Sequence, residues 1–349
     1  MRALVYLGSG ERALQEKPRP EIREATDAIV RVVATTICGT DLHILKGDVP
    51  SVTAGRTLGH EGVGVIDELG SAVSSFKVGD HVLISCITAC GKCSNCKKSM
   101  YSHCENGGWI LGNTIDGTQA DYVRVPHAEH SLHPIPAGAD DEALVMLSDI
   151  LPTGFECGVL NGKVKPGDTV AIVGAGPIGL AALLTAQLYS PARIILIDSD
   201  TNRLALGTKW GATDVLSTTG EGAVAAVMAL TGNRGVDVAI EAVGVPESFD
   251  TCQRIVTAGG HIANVGVHGK PVQLNLEKLW SHNITLTTGL VDTFTTPLLL
   301  KSVLAGKLQP GELVTHHFAL DDIMRAYDVF GDATRKKALK VIIRPEVSS

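Results

Sequence analysis

The chain has 349 residues, too many for one hydrophobic core of ordinary size, and it reads as two domains. Hydrophobic residues make up 44% and charged residues 19%, the balance of a globular enzyme rather than of a disordered or membrane-embedded chain. A net charge of −7 and a pI near 5.9 exclude the basic footprint of a nucleic-acid binder or a membrane-surface patch, and no apolar run approaches the ~18 residues that span a bilayer.

The opening Met1–Gly8 predicts a short strand followed by a polar turn, without the apolar centre of a secretory leader, so a cytoplasmic setting is expected. In a reducing compartment, eight cysteines point to metal ligands ahead of disulfides. Residues 1 to about 150 are rich in short strands and glycine turns: Ala28–Ala34, Gly62–Leu69 and the turn-then-strand Lys77–Ile84. This predicts an irregular β-rich domain with its chemistry on loops. Cys38 follows the first of these strands in Thr-Ile-Cys-Gly-Thr-Asp-Leu-His, and His60 and Glu61 precede the second. With Asp149 they offer a thiolate, an imidazole and a carboxylate, the ligand count of a zinc that keeps one position open. On the residues alone, an inert buried cysteine and a hydrogen-bonded histidine explain the pattern as well.

The next signal is sharper. Cys90, Cys93, Cys96 and Cys104 crowd one Gly/Lys/Ser loop, a set that suits a closed, structural tetrahedral zinc. Lys92, Lys97 and Lys98 would offset its thiolate charge. Cys86, Cys157 and Cys252 sit in apolar or helical stretches and read as packing residues, and His130, His133, His316 and His317 as surface or loop histidines.

From about 150 the pattern changes to strands alternating with helices. A helical stretch from Ile150 to Leu160 leads into the β-branched strand Val170–Val173. The chain then turns through Gly174, Gly176 and Gly179, with Pro177 and Ile178 opening an Ala/Leu-rich helix. The three glycines serve a tight turn, close approach of backbone to a pyrophosphate, and close helix–strand packing, and the helix start presents free N–H groups to phosphate. A second strand, Arg193–Asp198, ends in an acid at the distance where a carboxylate accepts from the ribose hydroxyls of NAD. Asp198 and Asp200 would repel a 2′-phosphate, which favours NAD over NADP. Arg203 either stacks near the adenine or is a solvated helix residue.

Further on come a helix from Arg203 to Trp210, the strand Asp214–Leu216, a helix over Ala223 to Thr231, and strands Val236–Glu241, Gly260–Gly266 and Asn283–Thr288. That is a doubly wound parallel sheet over residues 151–292. Helices near 296–306 and 320–331 and a last strand from Leu339 to Ile343 do not extend it, so residues 293–349 are assigned back to the first domain, residues 1–150. No internal repeat or low-complexity segment is evident.

Taken together, Cys38-Gly-Thr-Asp-Leu-His43, Gly59-His-Glu-Gly-Val-Gly64, the four-cysteine loop and Gly174-Ala-Gly-Pro-Ile-Gly179 resemble the zinc-dependent medium-chain alcohol dehydrogenases over essentially the whole chain. Within that family the chain is most similar to bacterial secondary-alcohol dehydrogenases, through Gly107-Gly-Trp109, Asp116–Tyr122 and Leu147–Phe155. The resemblance implies an α/β fold with a GroES-like β-rich catalytic domain and a Rossmann domain that binds NAD. It also implies two zincs per chain, a catalytic one on Cys38, His60 and Asp149 and a structural one on the four loop cysteines. Asp149 stands where much of the family has a second cysteine, as in the secondary-alcohol branch. Some members of that branch use NADP and lack the structural zinc, whereas this chain carries Asp198 and all four loop cysteines.

The resemblance further implies direct hydride transfer between NAD(H) and an alcohol–carbonyl pair. Thr40 would accept the alcohol proton and pass it through the cofactor ribose to His43, the alternatives being a turn hydroxyl and a surface histidine. Glu61 beside the metal would be an outer or transient ligand or else a plain salt-bridge partner. Asp41 would orient His60 through its second ring nitrogen. Trp109 is either a substrate-pocket wall or a packed core residue. Thr153, Val243, Val265 and Leu290 fall where the family holds the nicotinamide, and Lys340 either reaches the pyrophosphate or is an exposed lysine. Secondary alcohols and ketones are the expected substrates, with primary alcohols and aldehydes, polyols or threonine as alternatives. A homotetramer, otherwise a homodimer, is expected. A zinc-holding redox sensor without turnover is the reading from another class.

Overall fold

The computed structural model describes residues 1–345. Its strands are β1 (Arg2–Gly8), β2 (Glu11–Glu16), β3 (Ala28–Thr36), β4 (Gly62–Leu69), β5 (His81–Ile84), β6 (Tyr122–Val125), β7 (Leu132–Pro134) and β8 (Thr169–Val173). They continue with β9 (Arg193–Ile197), β10 (Asp214–Leu216), β11 (Val236–Glu241), β12 (Val256–Asn264), β13 (Thr285–Thr288), β14 (Val314–Ala319) and β15 (Lys340–Arg344). Two compact units emerge: Met1–Asp149 together with the chain from Asp292 onward, and Ile150–Val291. No helix among the described residues is long and apolar enough to cross a membrane.

The first unit is built on a sheet of order β14-β15-β3-β4-β5-β7, with β6 also on β3 and a separate β1–β2 hairpin. The β-branched run of β3 makes it a two-sided core strand, buried along most of its length. Its antiparallel pairing with β4 sets Thr35 opposite Gly62, and its pairing with β15 sets Thr36 opposite Ile342. These two registers bring the residues just after β3, just before β4 and at the start of β15 to one end of the sheet.

The second unit is a six-stranded parallel sheet of order β10-β9-β8-β11-β12-β13, the Rossmann order in which the chain reverses direction beside β8. The strand β8 is sandwiched and reads accordingly as an uninterrupted apolar run. The helix Pro177–Ala186 that follows is apolar all round and almost wholly buried, with Pro177 in its first turn, where a missing N–H costs nothing. Gly174 sits at φ +106°, a region that only glycine adopts without strain. A Cβ on Gly179 would overlap the carbonyl oxygen of Gly174, so the helix reaches the strand only without a side chain there.

Several boundaries differ from the sequence reading. β12 starts at Val256, four residues before the expected Gly260, because the glycine pair Gly259–Gly260 lies within the strand rather than before it. The stretch from Ile150 divides into a short α-helix to Thr153 and a π-wound helix, Gly154–Leu160. His133 lies in β7, where burial lowers it to about 4, while His316 and His317 stand on β14, His317 at the surface as expected.

The glycine geometry separates two substitutions. Gly179→Ala should cost about 1–3 kcal/mol or more by overpacking, seen as a lower unfolding midpoint. Gly176 has φ −67°, and a Cβ there would meet nothing closer than the Arg203 guanidinium at 4.0 Å, so Gly176→Ala should unfold like the wild type and weaken dinucleotide binding alone. Equal loss of stability in both variants would contradict this division.

Candidate active site

Cys38 is the residue before the helix Gly39–Lys46 and leaves β3 two residues past its end. Asp41 fixes the turn: its Oδ2 accepts from the Cys38 N–H at 2.9 Å and from Gln119 Nε2 at 3.0 Å. His60 and Glu61 arrive on the approach to β4. Asp149 is delivered from a distant segment because Ser148 is stapled to β4, accepting from Gly62 N at 3.0 Å, while Cys86 N donates to the Ser148 carbonyl at 3.0 Å.

One ligand atom from each of Cys38, His60, Glu61 and Asp149 lies within 4.8 Å of the others. Asp149 Oδ2 is 3.3 Å from His60 Nε2 and 3.6 Å from Cys38 Sγ. Such separations approach the ~3.3–3.8 Å edges of a tetrahedron with zinc–ligand bonds of ~2.0–2.3 Å. The burial chemistry points the same way. Cys38, Asp41 and Glu61 are all pushed upward, chiefly by burial, because their negative forms are taken out of water. Lys340 is the permanent cation that meets them, and Glu61 Oε1 is buried without a hydrogen-bond partner. A soft, a borderline and a hard donor around an excess of buried negative charge fit a zinc ion.

Lys340 has a different setting from the one expected. It is 1% exposed, its ammonium pairs with Glu61 and lies 3.4 Å from the Ile37 carbonyl, and it is not an exposed lysine. Burial opposes its charge, but Glu61 and Cys38 outweigh that and raise it. Glu61 therefore belongs both to the ligand cluster and, through Oε2, to the salt bridge with Lys340. The role expected of Asp41 is also corrected: both its hydrogen bonds go to Cys38 and Gln119, and none goes to His60.

Thr40 Oγ1 is 3.6 Å from Cys38 Sγ. His43, one helical turn on, is half-buried, with Nδ1 2.8 Å from Asp48 Oδ2. Trp109 sets its ring edge-on to His60, with centroids 6.1 Å apart at 72°. Sequence reasoning missed Cys86 here. Its thiol lies 3.7 Å from Asp149 Oδ1, and no spacing rule links the two.

The four loop cysteines also converge, with sulfur atoms within 4.8 Å of one another. Cys90 Sγ accepts from Asn106 Nδ2 at 3.6 Å, and the N–H groups of Cys90 and Cys96 point at Cys104 and Cys93 sulfurs. Burial opposes ionisation of Cys90, yet surrounding N–H groups bring it down to about 6, while burial and the Cys93 and Cys104 neighbours push Cys96 up to about 12. Four thiolates together need a cation, and no position is left open for substrate.

In the second unit, Gly174 follows β8, Asp198 follows β9, and Val243, Val265 and Leu290 stand just beyond the carboxyl ends of β11, β12 and β13. Thr153 lies instead on the helical turn before β8. A cavity of about 230 Å³ opens at Gly174, Asp198, Arg203 and Val243. Asp198 does more than expected: Oδ2 accepts from Ala175 N at 2.6 Å and Oδ1 from Asp200 N at 2.8 Å, so the acid also ties down the glycine turn. Arg203 lies 4.0 Å from Asp198 and 3.7 Å from Asp200, bordering the cavity.

Two stability outcomes follow from the buried charges. Lys340→Met leaves the Glu61 charge uncompensated and should cost about 3–5 kcal/mol in denaturant unfolding, most of it recovered in the Lys340→Met/Glu61→Gln double variant. Equal losses with and without Glu61 would mean the pair is not coupled. Cys93→Ser should remove about one zinc per chain, lower the unfolding midpoint and leave the other zinc in place. Loss of both metals from a folded protein would refute the separation of the sites.

Residues 24–137 match the family described as alcohol dehydrogenase GroES-like domain, and residues 177–297 match the zinc-binding dehydrogenase family. The chain is 39% identical to an alcohol dehydrogenase of Cupriavidus necator over 370 aligned positions, covering 99% of both chains. Among solved structures it is similar to the zinc-dependent alcohol dehydrogenase 2 of Streptococcus pneumonia in its apo form, with 55% identity, a TM-score of 0.96 and coverage of 100% of this chain and 99% of that one. The alcohol dehydrogenase TADH of a Thermus species shares 33% identity at a TM-score of 0.91, covering 99% of this chain and 100% of that one. With the ligand cluster at the end of β3 and the glycine turn after β8, these matches make the chain a member of the zinc-dependent medium-chain alcohol dehydrogenases.

Proposed function

We propose that the protein is an NAD(H)-dependent dehydrogenase of secondary alcohols and the corresponding ketones. The observation that carries this reading is the convergence of Cys38, His60 and Asp149 beside the Thr40 hydroxyl. Cys38, His60 and Asp149 would hold a zinc ion, which would supply Lewis-acid polarisation of the substrate oxygen and so lower the alcohol's pKa. A bound dinucleotide supplies the hydride acceptor.

The chain's own residues do the rest. In this reading the Thr40 hydroxyl takes the alcohol proton as it gives its own to the ribose of the bound cofactor, and His43, whose Nδ1 lies 2.8 Å from Asp48, passes a proton to solvent. Simple secondary alcohols are favoured over polyols on the resemblance to the secondary-alcohol branch, with the Trp109 ring beside His60 as the candidate pocket wall. The NAD preference rests on Asp198, a carboxylate at the cavity, and on Asp200 two residues further on, both of which would repel a 2′-phosphate. Arg203 is already between them. Assembly with further copies of the chain is part of the reading. Its support is the outer strand β13 together with Leu276 and Trp280, which are 59% and 77% exposed.

The test is zinc content with initial rates on 2-butanol, sorbitol and L-threonine, each with NAD and NADP. The expected result is chelator-sensitive turnover, with kcat/KM for 2-butanol and NAD about tenfold or more above the other combinations. A preference for sorbitol or threonine would replace the substrate class, and no turnover in the zinc-loaded protein would favour a sensor. Asp198→Asn keeps an acceptor for Ala175 N while removing the charge, so it should raise the NADP-to-NAD ratio of kcat/KM by about tenfold. An unchanged ratio would contradict the cofactor argument.

A further inference from the structure

Strand β11 ends in Glu241, a carboxylate with 0% exposure that neither the zinc site nor the glycine fingerprint employs. Its Oε1 accepts from Val243 N and from Gly244 N, each at 2.9 Å, and the Ser248 hydroxyl lies 2.6 Å away. Ser248 also takes the Val245 N–H at 3.4 Å, so it links the turn after β11 to the first turn of the helix Pro246–Ile255. The Glu241 carbonyl accepts from Val265 N at 2.9 Å and Gly266 N at 3.1 Å, which draws in the turn after β12.

The other carboxylate oxygen, Oε2, is buried without a hydrogen-bond partner. It faces His268 Nε2 at 3.4 Å, but that nitrogen is engaged at 2.9 Å with Asn264 Oδ1. Three donors on one oxygen and none on the other make Glu241 an acceptor hub. Gly244, at φ +85°, packs so closely on Val267 that a Cβ would overlap its backbone, so the two turns can hold their places only together.

The position of these turns matters because Val243, expected at the nicotinamide, lines with Val245 and Ser248 the same cavity of about 230 Å³ that Asp198 and Arg203 border. Gly174 lies against Val243 as well, close enough that a Cβ would overlap the valine side chain. We infer that Glu241 is a positioning residue for the adenosine half of the dinucleotide, fixing the cavity wall of Val243, Val245 and Ser248. This rests on the dinucleotide reading above. Without the hub, the turn after β11 loses three of the hydrogen bonds that define the wall, and binding must restore that order at its own expense.

The experiment is calorimetric binding of AMP and ADP-ribose to the full zinc-loaded chain, corrected for the folded fraction. Glu241→Ala should weaken AMP binding about tenfold, and Glu241→Gln, whose carbonyl oxygen can take over the three donors, should stay within about threefold of wild type. Ser248→Ala should weaken AMP about threefold with an unchanged unfolding midpoint, and it decides the matter if Glu241→Ala does not fold. A Glu241→Ala protein that is less stable yet binds AMP like the wild type would overturn the inference, as would a glutamine variant as weak as alanine, or wild-type affinity in Ser248→Ala. Failure of the wild type itself to bind AMP, ADP-ribose or NAD would instead remove the dinucleotide reading, and the inference with it.

Discussion

Buried negative charge is the constraint on which the first unit depends. Cys38, Asp41, Glu61 and Asp149 crowd the end of one sheet, and burial disfavours the ionised forms of the first three. A protein accumulates such groups away from water only if something compensates them. Lys340 compensates part, and a dication suits the rest. The architecture follows from that need, since no single segment could supply these residues. The registers of β3 with β4 and with β15 bring positions about 300 residues apart in sequence into one cluster. Ser148, fastened to Gly62, brings in the last ligand.

The second unit solves a different problem. Its ligand-facing groups are mostly backbone, exposed by glycines at the carboxyl ends of parallel strands, so its precision comes from how the turns are held. Two buried or half-buried acids do much of the holding. Asp198 ties the glycine turn by its bond to Ala175 N, and Glu241 gathers the turns after β11 and β12. Acids in this unit therefore shape the turns at the carboxyl ends of its strands.

Much of this was legible in the sequence. The glycine fingerprint, the acid at the end of β9, the four-cysteine loop and the change from β-rich to alternating pattern are local signals, set by spacing within about 30 residues. They define the fold class and place the zinc-loop and nucleotide turns. What was not legible depends on pairings across the chain. Lys340 reads as an ordinary strand-end lysine until the antiparallel register of β15 with β3 puts it against Glu61. By sequence Asp41 is free to orient His60, but Gln119, 78 residues on, takes that carboxylate instead. Cys86 likewise reads as a packing thiol, and only the Ser148 staple brings Asp149 beside it. Chemistry was readable from spacing where ligands are neighbours in sequence; the dispersed set of Cys38, His60 and Asp149 was readable only through the family resemblance.

Zinc-edge X-ray absorption on the intact, zinc-loaded protein tests the two-site arrangement most directly. With both sites filled by these ligand sets, the averaged first shell should hold about two and a half sulfurs per zinc at ~2.3 Å, with the remainder nitrogen and oxygen at ~2.0–2.2 Å. About four sulfurs per zinc, with one zinc per chain, would mean that only the cysteine loop binds metal. The cluster of Cys38, His60, Glu61 and Asp149 would then not be a zinc site.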